Sequence, residues 1–494
     1  MSAGKQAASE TASCSRNPSN QSRKPVSHAE QLLRLRDWLL PSGRILVDAD
    51  RHGNTKWAAT DLIWLALCWG WAEPKRVTDA FETARDQCRL LGITPLGTYQ
   101  GFMNALVSWT DRMMPVLWRL LHQRMREIGG AFWQIDGWVP VGFDGSRSSA
   151  PRTTSNEKMF CAANYGRGKT ARYRKKQTKG MRRRKNEKNK PQPQEPQVWT
   201  TLLWHMGLRL PWMWRLGPSN SGERAHVLEM LDVGDFPKNT LFCGDAGFIG
   251  YPFWARLVAS GRHFLIRVGA NVRLLTESTR CTITREGRVL CWPKVARRSG
   301  QAPLQLRLFR VNVGKTSVWM LTNVLERSRL TRSQAIRLYK IRWGIEVEFR
   351  GLKQTLDRAR LRCRNGRRLL AELNWSIMAM AVAELFALKE QLTPARAKPN
   401  PKSSTADPPR RSLAQTMRAI RSCLTNLRDT PPSGLDLPTR LRLAVTDSYI
   451  RRSTKHARYR PRNPDKKPLG DPTITVLPRQ DRKLLDALTS KLVA

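Results

Sequence analysis

Three carboxylates stand out in a chain where acids are scarce. Asp144 closes the apolar alternation VPVGFDGSR, Asp245 follows the short apolar run in LFCGDAGF, and Glu346 lies in YKIRWGIEVEFRGLKQTL, residues 339–356. Each aspartate is expected where a strand meets a glycine-containing turn at the edge of a sheet. Taken singly, Asp-Gly is ordinary turn chemistry, and Asp136-Gly137, which interrupts an apolar run nearby, reads as such a turn. Together the three fit one reaction. Two-metal phosphodiester cleavage needs carboxylates converging from different elements on divalent ions about 3.5–4 Å apart. Mg²⁺ suits such a set, since it takes oxygen ligands and leaves positions for phosphate oxygens and water. Three bare carboxylates would repel one another and repel DNA, and a surrounding excess of cations offsets both effects.

Glu346 must be carried by a helix. Leu338, Ile341, Ile345, Phe349, Leu352 and Leu356 form an apolar stripe at helical spacing, with Thr331 as the expected cap. Tyr339, Arg342, Glu346 and Lys353 then fall within roughly 60° of one another along one border of that stripe. Glu348 points about 180° from Tyr339, away from this row. From the helix alone an ordinary reading stays open, in which Arg342 and Glu346 form a surface i,i+4 pair worth about 0.2–0.5 kcal/mol.

Composition narrows the partner. The chain has 494 residues and a formal charge of +48, from 87 Lys+Arg against 39 Asp+Glu. Such an excess is costly self-repulsion unless a polyanion takes it up, and nucleic acid is the foremost candidate. No membrane partner is expected. The longest apolar stretch, Leu373–Glu390, carries Asn374 and Glu384 and reads as a buried helix. The N-terminus lacks the apolar segment of a secretory signal. None of the nine cysteines forms a C-x-x-C pair, so neither a zinc site nor a disulfide framework is indicated, and a reducing cytoplasm is the default.

The pattern along the chain changes several times. Residues 1–27 are polar and expected to be disordered. Residues 28–130 read as helices, opened by a Ser27 cap, and form a candidate DNA-binding domain, a helical spacer or dimerisation unit being the alternative. Residues 131–270 give three strands and then a β-α-β-like segment, which argues for a mixed sheet covered by helices. Within them, 166–197 is a basic segment with thirteen Lys/Arg and one Glu between Gly166 and Lys190 and no apolar face. Ala163–Thr170 (ANYGRGKT) loosely resembles a phosphate-binding loop, but no amphipathic helix follows it. Residues 271–330 alternate as strands, 331–392 return to helix, and 393–494 read as a linker and a basic C-terminal region.

With these residues in place, the chain resembles the DDE transposases of bacterial insertion sequences, specifically the insertion-sequence-four family. That family carries Tyr-x2-Arg-x3-Glu-x6-Lys, matched by Tyr339, Arg342, Glu346 and Lys353, and Asp144-Gly145-Ser146 and Asp245 match its two aspartate contexts. The 101 positions from Asp245 to Glu346 leave room for the family's β-strand insertion, here 271–330. The resemblance implies an α/β, ribonuclease H-like core made of 131–270 and 331–392. It implies that Asp144, Asp245 and Glu346 bind two Mg²⁺ ions, with Mn²⁺ as a substitute. Tyr339, Arg342 and Lys353 would contact phosphates, and Trp343 would stack on an unpaired base or pack against the sheet. The implied partners are the terminal inverted repeats and target DNA, bound by a homodimer, in a bacterial cytoplasm at the nucleoid. A ribonuclease H-like nuclease without strand transfer and a non-catalytic DNA-binding protein are the alternatives.

Overall fold

The structure, a computed structural model, describes residues 26–40, 57–161, 195–278, 286–313, 316–397, 411–445 and 470–493. The polar N-terminal tail, the ANYGRGKT stretch, most of the basic segment 166–197, most of the 393–410 linker and the basic stretch near 451–468 lie outside the described residues.

The chain opens with helices α1 (His28–Leu39), α2 (Ala59–Trp71), α3 (Val77–Leu90) and α4 (Tyr99–Gly129). Ser27 caps α1 by accepting from the Glu30 N–H, as its sequence suggests. Eleven of the thirteen residues of α2 are buried. A helix with no polar face must be enclosed on all sides. Much of that enclosure comes from α11 (Gly366–Ala397), which packs on both α2 and α4. The contact is close: a Cβ on Gly70 would stand 2.6 Å from the Ala379 Cβ, and the Trp71 indole donates to the Ala379 carbonyl at 2.8 Å. The same helix reaches the sheet, where Trp214 donates to Asn374. By length and composition α11 could cross a bilayer, but 89% of its apolar window is buried inside the protein, as expected of 373–390. One continuous apolar core joins the N-terminal helices, α11 and the sheet.

The sheet has ten strands among the described residues. Third from one edge, β1 (Val139–Ser149) pairs antiparallel with β2 (Gln197–His205), which pairs with the edge strand β3 (Leu210–Gly217). On its other side β1 runs parallel to β4 (Thr240–Gly244), and β4 parallel to β5 (His263–Val268). Helix α5 (Thr154–Phe160) follows β1, α6 (Glu223–Val233) links β3 to β4, and α7 (Tyr251–Ala259) links β4 to β5. The strands expected within 271–330 are present as β6 (Arg273–Thr276), β7 (Glu286–Cys291), β8 (Leu304–Val313) and β9 (Thr316–Thr322), with the short α8 (Lys294–Arg298) between β7 and β8. They extend the same sheet, β9 pairing with β5. At the far edge β10 (Thr473–Val476) pairs with β6, and α14 (Arg479–Val493) follows it.

The helix expected from Thr331 is present but not uniform. It starts at a full capping box between Thr331 and Gln334 and runs as α9 (Arg332–Arg342). It resumes as α10 (Gly344–Arg350) and ends in a π-helical turn over Gly351–Thr355. The predicted stripe is inside: Leu338, Ile345, Phe349, Leu352 and Leu356 are all buried, and Ile341 packs against the core from a half-buried position. Helices α12 (Leu413–Thr425) and α13 (Leu437–Leu443) close the C-terminal side against α11.

Candidate active site

The parallel register of β1 and β4 pairs Gly142 with Cys243. Two positions further along each chain stand Asp144 and Asp245, so the register brings the two aspartates level. Each carboxylate is held by the start of its own following loop or strand: Gly145 N–H donates to Asp144 Oδ1 at 2.8 Å, and Gly247 N–H to Asp245 Oδ1 at 2.8 Å. Asp245 lies just past the end of β4, as its sequence context suggests. Asp144 does not end its strand. The β1 ladder continues to Ser149 because β2 stays beside it, from Asp144 opposite Leu202 to Ser149 opposite Gln197. Only the β4 side of β1 falls away there. Asp136 sits apart in the tight turn expected of it, at φ 53° with Gly137 at φ 82°, and pairs with Arg337.

Glu346 projects from the exposed side of α10. Burial raises the Asp144 carboxyl to about 6, against the pull of the Gly145 N–H; Asp245 and Glu346 raise it further and Arg342 lowers it. The three acids singled out in the sequence thus share one electrostatic neighbourhood with Arg342.

The other members of the signature are less exposed than their helical row suggests. Arg342 is 3% exposed and Tyr339 4%. The Arg342 guanidinium lies 5.7 Å from the Tyr339 ring and 5.5 Å from the Trp343 ring, and its Nε and Nη1 have no hydrogen-bond partner. Arg267 donates to the Tyr339 hydroxyl at 3.3 Å. Trp343, at the junction of α9 and α10, is 49% exposed. Lys353 sits half-buried in the π-helical turn, and loss of solvent lowers its pKa.

Gly344, which opens α10, sets how near this helix lies to the sheet. A Cβ there would collide with the Trp204 indole of β2, standing 2.9 Å from its Cζ3 and touching Cη2 more closely still. Trp204 is itself buried and cannot easily swing away. Gly344→Val is therefore expected to push Glu346 off its position and to destabilise the fold by about 1–3 kcal/mol, the usual cost of overpacking. Denaturant unfolding of the variant checks this, and wild-type stability would mean the helix has room to shift.

Glu348, expected to point away from the signature row, is buried. It is 7% exposed, faces Glu384 of α11 and Arg411, and lies near Trp204. Its surroundings come from distant parts of the chain, α11 and the segment before α12. Burial and the neighbouring Glu384 hold its carboxyl well above the usual range, while Arg411 opposes both. Glu348, Glu384 and Arg411 line a cavity of about 640 Å³ behind the helix.

One acid was missed in the sequence. Glu223, the first residue of α6, stands beside both aspartates: a Cβ on Gly145 would meet its carboxylate, 2.9 Å from Cδ, and a Cβ on Gly247 would lie 3.9 Å from its Oε2. Burial raises its carboxyl to about 7, with Asp144 and then Asp245 adding to the effect and Arg147 and Arg224 opposing it. The search for acids at strand ends beside glycines passed over it. The usable signal was a glutamate opening a helix directly after a strand, in SGERAHVLEML.

Among the described residues no three His, Cys, Asp or Glu side chains stand close enough to form a ready-made metal cage. The donor set nonetheless suits a hard divalent ion: only carboxylate oxygens, from separate elements, each raising the charging cost of its neighbour. A cation removes that repulsion.

Residues 168–382 match the family model described as the transposase DDE domain. That match supports a DNA transposase. The matched stretch contains Glu223, Asp245 and Glu346 and begins after Asp144. No curated protein matches the chain. Among solved structures, a piggyBac transposase synaptic complex with hairpin DNA, seen by cryo-electron microscopy, is similar at 12% identity, with a TM-score of 0.37, covering 85% of this chain and 86% of that one.

Proposed function

We propose that the chain is a DDE transposase of the insertion-sequence-four type, which cuts the ends of an insertion sequence and joins them to target DNA. The observation that carries this reading is the β1–β4 register, which levels Asp144 with Asp245 beneath the helix bearing Glu346. The strand order β5-β4-β1-β2-β3 is the one expected of a ribonuclease H-like core, and the DDE-domain match agrees with it.

Asp144, Asp245 and Glu346 would hold two Mg²⁺ ions, or Mn²⁺ in their place. When bound, the ions activate water or a DNA 3′-OH for in-line attack and stabilise the leaving oxygen. The remaining work falls to the chain. Arg342 keeps two donor nitrogens unpartnered beside Asp144, a capacity suited to phosphate oxygens. Tyr339 and Lys353 belong to the same phosphate-contacting set. The exposed Trp343 offers a stacking face for an unpaired base. The high positive charge, including the basic segment 166–197, neutralises backbone phosphates without reading bases. The DNA partners are the terminal inverted repeats and a target duplex, bound by a homodimer in a bacterial cytoplasm.

The test is to incubate the full chain and Mg²⁺ with the DNA that flanks its gene and a target plasmid. Nicks at the ends of short inverted repeats, followed by joined product, are expected. Cleavage without joining would make it a nuclease, and binding without cleavage a DNA-binding protein.

A further inference from the structure

Glu223 has a placement that the three-carboxylate reading does not use. A glutamate in the first turn of a helix is ordinary, since the helix dipole favours it there. The direction of this one is not. Its two oxygens are turned toward Gly145 and Gly247, the glycines that flank Asp144 and Asp245 on β1 and after β4. At Gly145 the absence of a side chain is required, since a Cβ would also come within 2.9 Å of the Glu223 Cγ; at Gly247 it would be in ordinary contact with Oε2 at 3.9 Å. The carboxylate is half-buried and has no direct hydrogen bond or ion pair among the described residues. Arg147 and Arg224 act on it only at a distance, and Arg147 stacks 4.4 Å over the Trp199 ring instead. In a chain with more than twice as many cations as anions, a partly buried carboxylate is thus set against two others and has no ion pair among the described residues.

We propose that Glu223 is a fourth carboxylate ligand of the divalent-ion site, standing beside Asp144 and Asp245. The inference rests on the reading of that site as a metal-dependent DDE centre. It assigns the helix α6 a second task besides covering the sheet: its first residue completes an oxygen shell from a fourth element. Glu346 then enters the site from α10, and Glu223 from the β3–β4 connection.

The experiment is a Mn²⁺ titration of the full chain bound to duplex DNA, read by electron paramagnetic resonance, on the wild type, Glu223→Gln and Asp144→Asn. The wild type is expected to bind Mn²⁺. Both variants should bind at least one ion about 10–100-fold more weakly, the range in which disturbed metal shells fall. Thermal unfolding supplies a second readout. Without metal, Glu223→Gln should be at least as stable as the wild type, because it removes one of three crowded charges, and its gain in Tm on adding Mn²⁺ should be smaller. A purely structural glutamate gives the opposite pattern: lower metal-free stability and an unchanged gain. If Asp144→Asn weakens Mn²⁺ binding and Glu223→Gln does not, the fourth ligand is overturned and the three-carboxylate site stands. If the wild type and Asp144→Asn behave alike, the metal-site reading fails and this inference with it. Should the glutamine variant not fold, Glu223→Asp withdraws the charge by one methylene and is expected to show part of the weakening; wild-type affinity there overturns the proposal.

Discussion

Asp144→Ala, Asp245→Ala and Glu346→Ala are each expected to reduce metal-dependent nicking of end DNA by roughly three decades or more. Loss of a carboxylate that holds a catalytic ion removes several kcal/mol of transition-state stabilisation, at about 1.4 kcal/mol per decade of rate. DNA affinity should hold or rise slightly, because each change removes a negative charge that faces a polyanion. Asp136→Ala is the matched control. Its carboxylate pairs with Arg337 in a turn and takes no part in the cluster. Single-turnover cleavage with protein in excess, alongside a binding titration, separates the two effects. Full nicking by the Glu346 variant, or equal loss in the Asp136 variant, would remove these acids from the chemistry.

The second large effect is expected behind α10. Arg411 is the cation that faces the buried Glu348 and Glu384, and it also donates to the Arg209 carbonyl. Arg411→Met leaves two enclosed carboxylates without it. Breaking a buried ion pair from one side costs about 3–5 kcal/mol. The loss should depend on pH, with a sign fixed by the carboxylates. Burial raises both above the ordinary value near 4.5, and removing Arg411 raises them further. As pH climbs through the ordinary carboxylate range, the unfolded chain gives up protons that the folded variant keeps, so the variant's stability falls with rising pH. Urea unfolding at pH 5 and pH 8 should therefore find the larger deficit at pH 8. An equal deficit at both would point to lost packing around the cavity rather than to charge. Glu348→Gln in the same background should recover part of the loss.

The sequence carried the parts of this molecule that repeat over short distances. The capped helix from Thr331, its apolar stripe, the alternating strands on either side of 166–197 and the apolar run of α11 were all legible, because each depends on periodicity within one element. What was hidden depends on what a distant segment covers. Asp144 read as the end of a strand because nothing local reveals that β2 continues beside it. The break at Trp343 and Gly344 answers to a tryptophan 140 positions earlier, Trp204. What meets Glu348 on the far side of its helix was not legible, because Glu384 and Arg411 arrive from elsewhere in the chain. Glu223 was legible only as a glutamate opening a helix; that its carboxylate lies against Gly145 is visible only in the folded backbone.

The path of α11 has a consequence for the order in which the protein is made. All four clustered acids have been synthesised once residue 346 is in place. The helix that encloses α2 and ties it to β3 begins only at Gly366, and the cation behind Glu348 comes still later, at Arg411. A nascent chain, or one truncated before Gly366, holds the four clustered carboxylates on a platform whose apolar helix α2 is uncovered and whose Glu348 lacks Arg411. Such a chain has the acids proposed to hold the metal before it has the elements that fix them in place.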